Sequence, residues 1–218
     1  MRKPALQYTC ASCGNISSKW AGKCEACGEW NSISQEEAVG SAPKGLSKGR
    51  GRQVELVDLS VKQAVPPRRA VGINELDRVL GGGLVPGSAV LIGGDPGIGK
   101  STLLLQAAAK LAKQGLSVAY LSGEESTAQI QLRAERLSLS DSKVALASLT
   151  SLRDILATLE AAGPDLVIID SIQTVYIDNL DAAPGTVTQL RASANELIRH
   201  AKKRDCAMFL VGHVTKEG

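Results

Sequence analysis

A loop with the pattern G-x-x-x-x-G-K-[ST] occupies residues 94–101 and constrains this chain more than any other segment. The apolar run before it, residues 89–92, is typical of a buried strand, and the apolar-periodic stretch after it, residues 102–113, is typical of a helix. Glycines in such a loop allow backbone N–H groups to converge on phosphate oxygens, while the helix directs its positive N-terminal end at the same anion. The sequence therefore predicts a nucleoside triphosphate site.

Individual residues of this loop have expected roles. Lys100 is expected to reach the β- and γ-phosphates, and the Ser101 hydroxyl is expected to ligate Mg²⁺. The residues expected to contact the nucleotide are Gly94, Asp95, Pro96, Gly97, Ile98, Gly99, Lys100, Ser101 and Thr102. A phosphate loop binds a nucleotide without necessarily hydrolysing it, so hydrolysis requires further polar groups at the same place.

Four cysteines near the N-terminus form two C-x₂-C pairs separated by ten residues. This spacing is close to that of tetrahedral Cys₄ zinc sites, and four thiolates leave no open position for a substrate. The sequence has no run of 18 apolar residues and no apolar signal core, so we expect a cytoplasmic protein without a membrane span, where disulfides are disfavoured. The predicted ligands of a structural Zn²⁺ are Cys10, Cys13, Cys24 and Cys27. Trp20 and Trp30 are expected to cover this module, with contact to nucleic acid as the alternative.

Basic residues are concentrated in the N-terminal third of the chain. Residues 1–70 hold 11 Lys and Arg against 6 Asp and Glu, whereas residues 71–218 hold 14 against 16. Residues 36–53 are rich in Gly, Ser, Lys and Arg, which predicts a linker that is either merely solvated or a polyanion-binding arm. The cations of this segment are Lys44, Lys48, Arg50 and Arg52.

From residue 73 onward, short apolar runs alternate with amphipathic stretches. This rhythm predicts an α/β fold, a mostly parallel sheet with helices on both faces. We expect a strand at residues 117–121 to neighbour the phosphate-loop strand, and the last strand, residues 206–211, to lie at an open edge of the sheet. Two capping boxes, Ser126-x-x-Gln129 and Thr186-x-x-Gln189, predict helix starts. The predicted domains are a zinc ribbon at residues 1–33, a basic linker with a possible edge strand (residues 54–59) at residues 34–65, and a nucleotide-binding core at residues 66–218.

Polar residues at the ends of three predicted strands complete the expected site. Asp170 directly follows an apolar strand, at the end of a parallel sheet where ligands bind, so it is expected to hold Mg²⁺ directly or through water. Glu124 and Glu125 follow the strand at residues 117–121. Their local chemistry fits two roles equally: a base that accepts a proton from the attacking water, and negative charges that stabilise the N-terminus of the next helix. His213 follows the last strand, where it is either a contact of the γ-phosphate or a structural histidine.

Together these motifs resemble the bacterial RadA (Sms) family of DNA repair and recombination proteins over nearly all 218 residues. The resemblance is carried by the cysteine ribbon, the phosphate loop and four further segments. These segments are G-I-N-E-L-D-R-V-L-G-G-G at residues 72–83, S-G-E-E-S at residues 122–126, D-S-I-Q-T at residues 170–174 and G-H-V-T-K-E-G at residues 212–218. The ribbon and the loop are each shared widely, but their combination with these segments is specific.

The resemblance implies a RecA-like P-loop ATPase core that assembles into a ring, a hexamer for the complete protein, around DNA. It implies ATP as the nucleotide and a DNA-dependent ATPase of the helicase or branch-migration type. Its substrates would be single-stranded DNA and branched recombination intermediates, with a recombinase or replicative helicase as a partner. By the same similarity, Glu124 matches the catalytic glutamate better than Glu125, His213 becomes a γ-phosphate sensor, and residues 178–185 lie near DNA. The implied catalytic residues are Lys100, Glu124 and His213.

Proteins of that family continue with further core strands, a K-N-R-F-G motif and a domain resembling the Lon protease. We therefore expect this chain to be C-terminally truncated, to bind ATP weakly and to turn it over slowly. Two other classes stay open: a signalling ATPase resembling the circadian protein KaiC, and a zinc-stabilised adaptor in which the nucleotide is only a switch. The ribbon and the basic linker favour the DNA-dependent ATPase.

Overall fold

The computed structural model describes residues 7–10, 16–17, 19–36, 56–60 and 67–213. These residues belong to two compact units, divided between Pro67 and Arg68. Of the predicted edge strand, residues 56–59 are described and form no strand, and Leu56 and Leu59 are fully exposed because no sheet buries them. The predicted residues that lie outside the described ones are Cys13, Lys44, Lys48, Arg50 and Arg52.

The first unit contains a small antiparallel sheet. Its strands are β1 (Gln7–Cys10), β2 (Ile16–Ser17) and β3 (Ile33–Glu36), in the order β2-β1-β3. Cys10 ends β1, opposite Ile33 of β3. Between β2 and β3 the chain makes a tight turn, in which the Gly28 N–H donates to the Cys24 carbonyl oxygen at 2.9 Å. This turn carries the second pair of cysteines.

The second unit alternates strands and helices. In chain order its elements are α1 (Asn74–Val79), β4 (Ala89–Gly94), α2 (Lys100–Lys113), β5 (Val118–Ser122), α3 (Thr127–Arg136), β6 (Val144–Ser148), α4 (Leu152–Ala162), β7 (Leu166–Asp170), a 3₁₀ turn (Ile172–Thr174), α5 (Val187–Arg204) and β8 (Ala207–His213). The five strands described in this unit are all parallel, in the order β4-β8-β7-β5-β6. The predicted α/β architecture is confirmed. None of the described helices has the length and apolarity needed to cross a membrane.

The lateral order of the strands corrects two expectations. β5 does not neighbour the phosphate-loop strand β4, because β8 and β7 lie between them. β8 is not at an open edge either, since it pairs with β4 on one side and with β7 on the other. Chain order does not determine lateral order, because a helical crossover between parallel strands can pass over intervening positions. Among the described residues, β4 and β6 are the edge strands, and Leu91 of β4 is 65% exposed.

Helices cover both faces of the parallel sheet. On one face, α2 and α3 pack Leu104 and Ile130 against Tyr120 of β5. On the other face, α4 and α5 pack Ile155 and Leu197 against alternate strand residues. Because successive strand residues point to opposite faces, the inner strands β5 and β7 are buried along their whole length.

Of the two predicted capping boxes, one forms completely. Ser126 accepts a hydrogen bond from the Gln129 N–H, and the Gln129 side chain accepts one from the Ser126 N–H. At the start of α5, Thr186 accepts from the Gln189 N–H, but the Gln189 amide is buried and does not return to Thr186. Its partners are the carbonyl oxygens of Ile177, Leu180 and Ala182 and the N–H of Ile177. The loop before α5 offers this amide more partners than the helix terminus does.

Candidate functional site

The phosphate loop lies between β4 and α2, as predicted. β4 ends at Gly94 and α2 begins at Lys100, so the loop joins the carboxyl end of a parallel strand to the N-terminus of a 14-residue helix. Gly99 caps this helix with a φ of 96°, a left-handed conformation that a side chain would disfavour. The remaining predicted contacts of the nucleotide are exposed in the loop (Asp95, Pro96, Gly97, Ile98) or partly buried in the first turn of α2 (Ser101, Thr102). The unpaired N–H groups of that turn make the loop a suitable anion site.

Lys100 is buried at the base of the loop, with 7% of its surface exposed. Its ammonium group donates to the carbonyl oxygens of Gly94 at 2.7 Å and Asp95 at 2.8 Å. The Nδ1 atom of His213 lies 3.5 Å from the same Nζ atom. A buried cation requires such partners, and here they hold it inside the loop.

Glu124 extends this arrangement through His213. The Oε1 atom of Glu124 lies 3.3 Å from the His213 Nε2 atom and accepts a hydrogen bond from the Ser171 hydroxyl. His213 thus lies between Lys100 and Glu124, with one ring nitrogen near each. Burial would raise the pKa of Glu124, but the hydrogen bonds from Ser171 and His213 and the charge of Lys100 outweigh it and lower the pKa below its ordinary value. The carboxylate is therefore ionised and able to accept a proton.

Glu125 points to a different neighbour. It forms an ion pair with Arg133 of α3, with an N···O distance of 2.8 Å. The Ser122 hydroxyl accepts hydrogen bonds from the N–H groups of Glu124 and Glu125 at 3.2 and 3.0 Å, which fixes the turn in which the two carboxylates diverge. Of these two acids, Glu124 is the one beside His213.

Asp170 and His213 are the last residues of β7 and β8, rather than the residues after those strands. The strands are longer than their apolar runs because backbone pairing continues, with Asp170 opposite Ser122 and His213 opposite Gly94. The Asp170 carboxylate is buried and accepts a hydrogen bond from the Tyr120 hydroxyl at Oδ2. Burial, followed by the charge of Asp170 and this hydrogen bond, raises the pKa of Tyr120 far above its ordinary value, so the hydroxyl keeps its proton.

Three residues of this site were not predicted: Ser171, Tyr120 and Arg133. Ser171 carries no signal, because a serine after a strand is common in turns. Tyr120 does carry one, since its hydroxyl stands among apolar residues of a buried strand and must find a partner there. The hydrogen bond from Arg133 to the Tyr120 oxygen, at 3.3 Å, depends on how α3 packs on the sheet, which the local sequence does not specify.

The cysteine cluster of the first unit is formed by Cys10, Cys24 and Cys27. Their Sγ atoms all lie within 4.8 Å of one another, and those of Cys10 and Cys27 are 3.7 Å apart. Thiolates around a tetrahedral Zn²⁺ with Zn–S distances of about 2.3 Å are roughly 3.8 Å apart, so these three sulfurs fit a zinc site. Cys13, the fourth predicted ligand, lies outside the described residues.

The two tryptophans, which were expected to cover this module, are mostly exposed. Trp20 and Trp30 are 63% and 68% exposed, whereas Cys10 and Cys24 are each 1% exposed. A β-carbon on Gly22 would lie 3.9 Å from one indole and 4.0 Å from the other, so both rings lie against the backbone at Gly22. The Lys23 ammonium is 5.6 Å from the Trp30 ring centroid, a cation–π distance. We call Trp20, Gly22, Lys23 and Trp30 the tryptophan surface.

Family models and curated relatives match both parts of the chain. A model described as AAA domain matches residues 61–218, and one described as rubredoxin metal binding domain matches residues 8–35. DNA repair protein RadA of Brucella abortus is 55% identical over 227 residues, which cover 100% of this chain and 49% of the relative. DNA repair protein RadA of Pseudomonas aeruginosa is 49% identical over 221 residues, which cover 100% and 48%. The predicted resemblance is confirmed, and the chain spans about half the length of these relatives.

One solved structure supports the fold independently. The crystal structure of flagellar accessory protein FlaH from Methanocaldococcus jannaschii matches with a TM-score of 0.53 at 20% identity, covering 69% of this chain and 73% of that one. At this identity, the likeness shows the fold alone.

Proposed function

The chain belongs to the AAA domain family, and from that premise we propose that it is an ATPase that binds ATP and Mg²⁺ at the phosphate loop and hydrolyses the bond to the γ-phosphate. The observation that supports hydrolysis most directly is the placement of His213 between Lys100 and Glu124. A phosphate loop alone supports binding, whereas an ionised carboxylate beside it supports activation of water.

Binding begins with the loop itself in this proposal. The N–H groups of residues 94–102 surround the phosphate oxygens, assisted by the N-terminus of α2. The Lys100 ammonium group then exchanges its hydrogen bonds to the Gly94 and Asp95 carbonyl oxygens for contacts with the β- and γ-phosphates. Because those carbonyls already hold the cation in the loop, little side-chain ordering remains for the moment of binding.

The oxygen groups at the site fit Mg²⁺. Ser101 offers a hydroxyl and Asp170 a buried carboxylate, and Mg²⁺ prefers such oxygen ligands together with phosphates and water. When bound, Mg²⁺ would neutralise the negative charge that develops on the phosphates during transfer. Asp170 would meet it directly or through a coordinated water.

Glu124 is the proposed base. It orients a water molecule and accepts its proton as the water oxygen bonds to the γ-phosphorus and the bond to the β–γ bridging oxygen breaks, which leaves ADP and phosphate. His213, with Nδ1 toward Lys100 and Nε2 toward Glu124, would contact the γ-phosphate and respond to its departure. Lys100 stabilises the negative charge that develops on the γ-phosphate, because its ammonium group is already held in the loop.

We further propose that turnover depends on DNA, and that the protein promotes branch migration on single-stranded DNA as a homo-oligomeric ring in the cytoplasm, in DNA repair and recombination. The Brucella and Pseudomonas relatives are named DNA repair proteins, which supports this task. The tryptophan surface supports contact with single strands, because exposed indoles stack on bases of any sequence and Lys23 adds a cation. A cytoplasmic location suits a cysteine cluster that binds zinc, because disulfides are rare there.

ATP turnover, measured with and without single-stranded DNA, tests both the proposed hydrolysis and its dependence on DNA. The measurement is made on this chain and on one extended to the length of its RadA relatives. We expect slow turnover with little response to single-stranded DNA from this chain, and turnover that single-stranded DNA raises from the extended chain. The double variant Trp20→Ala/Trp30→Ala should lose much of that response, because stacking is worth about 1–3 kcal/mol per base. The matched control, Leu56→Ala/Leu59→Ala, removes exposed apolar side chains of the same unit and should keep the response. In the extended chain, turnover that ignores DNA would favour a signalling ATPase, and absence of turnover would favour a nucleotide-switched adaptor.

A further inference from the structure

We propose that Tyr120 and Arg133 are positioning residues for Asp170. Their hydrogen-bond chain holds the carboxylate in one orientation, in which Oδ2 is occupied by Tyr120 and Oδ1 remains for Mg²⁺ or its coordinated water. The inference rests on the proposed function, since it takes Asp170 to serve the cation of the bound nucleotide.

Tyr120 reaches Asp170 because β5 and β7 are neighbours in the sheet. Tyr120 lies opposite Ile168, and Asp170, two residues further along β7, belongs to the same face of the sheet. That face is covered by α2, the helix that follows the phosphate loop. The tyrosine ring is fully buried and its hydroxyl donates to Oδ2. A hydrogen bond to a charged oxygen is stronger in such a dry place than in water.

A second hydrogen bond determines the direction in which the hydroxyl donates. The Nη2 atom of Arg133 donates to the Tyr120 oxygen at 3.3 Å. Because a guanidinium can only donate, the tyrosine oxygen accepts there and its single hydrogen is directed to Asp170. Glu125 completes the chain through its 2.8 Å ion pair with Arg133, whose side chain is 14% exposed.

The arrangement separates the two oxygens of Asp170. Within the part of the chain that the structure describes, the Tyr120 hydroxyl is the one side-chain donor to this carboxylate. A carboxylate that rotates freely must be ordered each time a cation binds, whereas one held at Oδ2 is already ordered in the folded protein. The same chain gives the adjacent acids distinct tasks, since Glu125 anchors Arg133 while Glu124 faces His213.

A titration of Mg²⁺ against a fixed concentration of a fluorescent ATP analogue tests the inference. In Tyr120→Phe, the Mg²⁺ concentration for half-maximal binding should rise about tenfold, as expected for the loss of one hydrogen bond to a charged group. The affinity for the analogue in EDTA should not change. Arg133→Gln keeps the hydroxyl but frees its direction, so the shift should be smaller. Binding of Mn²⁺, measured by electron paramagnetic resonance, should weaken more in Tyr120→Phe than in Arg133→Gln.

Tyr176→Phe is the matched control, since it deletes a hydroxyl elsewhere in the same unit, and it should leave both affinities unchanged. An unaltered Mg²⁺ dependence in a Tyr120→Phe protein that unfolds at the wild-type temperature would overturn the inference. So would an equal loss of affinity with and without Mg²⁺, which indicates a structural role. If Tyr120→Phe does not fold, an unshifted Arg133→Gln overturns it. A wild-type protein without Mg²⁺-dependent binding would instead refute the proposed function.

Discussion

Gly123 packs so closely against Thr174 that a β-carbon on Gly123 would lie 2.6 Å from the Thr174 β-carbon. The Gly123 N–H also donates to the Asp170 carbonyl oxygen at 3.0 Å, and the Thr174 hydroxyl donates to the Ser171 carbonyl oxygen at 2.8 Å. The turn that carries Glu124 and the turn that follows Asp170 are therefore joined at a contact that only glycine permits.

Gly123→Ala should force these two turns apart. Because the overlap involves a β-carbon in a packed region, we expect a loss of about 1–3 kcal/mol in the free energy of unfolding. Hydrolysis measured in a single turnover should fall, while nucleotide binding at the phosphate loop is retained. Adding Thr174→Gly removes the overlapping atoms and should restore part of the lost rate. A Gly123→Ala protein with wild-type hydrolysis and stability would show that the contact does not constrain Glu124.

Lys100→Ala should abolish most ATP hydrolysis, by about 10²-fold or more, because it removes a preorganised cation at the phosphates. The variant should remain folded by circular dichroism. Lys110→Ala is the matched control, since Lys110 is an exposed lysine on the same helix. Wild-type turnover in Lys100→Ala would remove this loop from the active site.

Glu124→Gln should keep ATP binding and lose hydrolysis by about 10²–10⁴-fold, the usual contribution of a positioned general base. The adjacent Glu125→Gln should cause a smaller loss, seen mainly in the Mg²⁺ dependence, because Glu125 acts through Arg133. Single-turnover hydrolysis with parallel binding measurements distinguishes the two. If the larger loss belongs to Glu125→Gln, the base is misassigned by one residue.

Ser171→Ala should change how hydrolysis responds to acid. The pKa of Glu124 lies below its ordinary value partly because Ser171 donates to it, so the carboxylate stays ionised as the pH falls. Removing the donor raises this pKa, and activity should then be lost at a higher pH than in the wild type. Ser193→Ala, a buried serine whose hydroxyl has no hydrogen-bond partner among the described residues, should leave the profile of rate against pH unchanged. An acid limb that stays in place in Ser171→Ala would contradict the role of Glu124 as base.

Purified protein should contain one zinc per chain. Structural zinc contributes about 10–16 kcal/mol to the folding of small modules, so Cys24→Ser or strong chelation should unfold the first unit and leave nucleotide binding by the second. Cys206→Ser, which alters a buried cysteine beside β8, should keep the metal. Metal analysis that finds no zinc in protein prepared without chelators would refute the site.

The sequence predicted most of what depends on neighbours along the chain. The phosphate loop, the buried strand before Asp170 and the capping box of Ser126 follow from residue type and spacing within a few positions. The lateral order of the strands did not follow, because pairing of β4 with β8 joins residues more than a hundred positions apart. Gln189 shows the same limit, since a local motif predicted one partner and the folded loop supplied others. Trp20 and Trp30 were expected to cover the zinc module, but their large exposure could not be predicted locally, because it depends on what the rest of the small module buries.

The buried amide of Gln189 joins the loop from Ile177 to Ala182 to the helix α5 through hydrogen bonds. That helix has 18 residues and, at about 1.5 Å per residue, is a rod roughly 27 Å long. Two residues separate its C-terminal end from β8, the strand that ends at His213. The hydrogen bonds of Gln189 therefore couple the loop to the first turn of α5. In hydrogen exchange the backbone of the loop and the first turns of α5 should open together, at one rate, and Gln189→Ala should separate them.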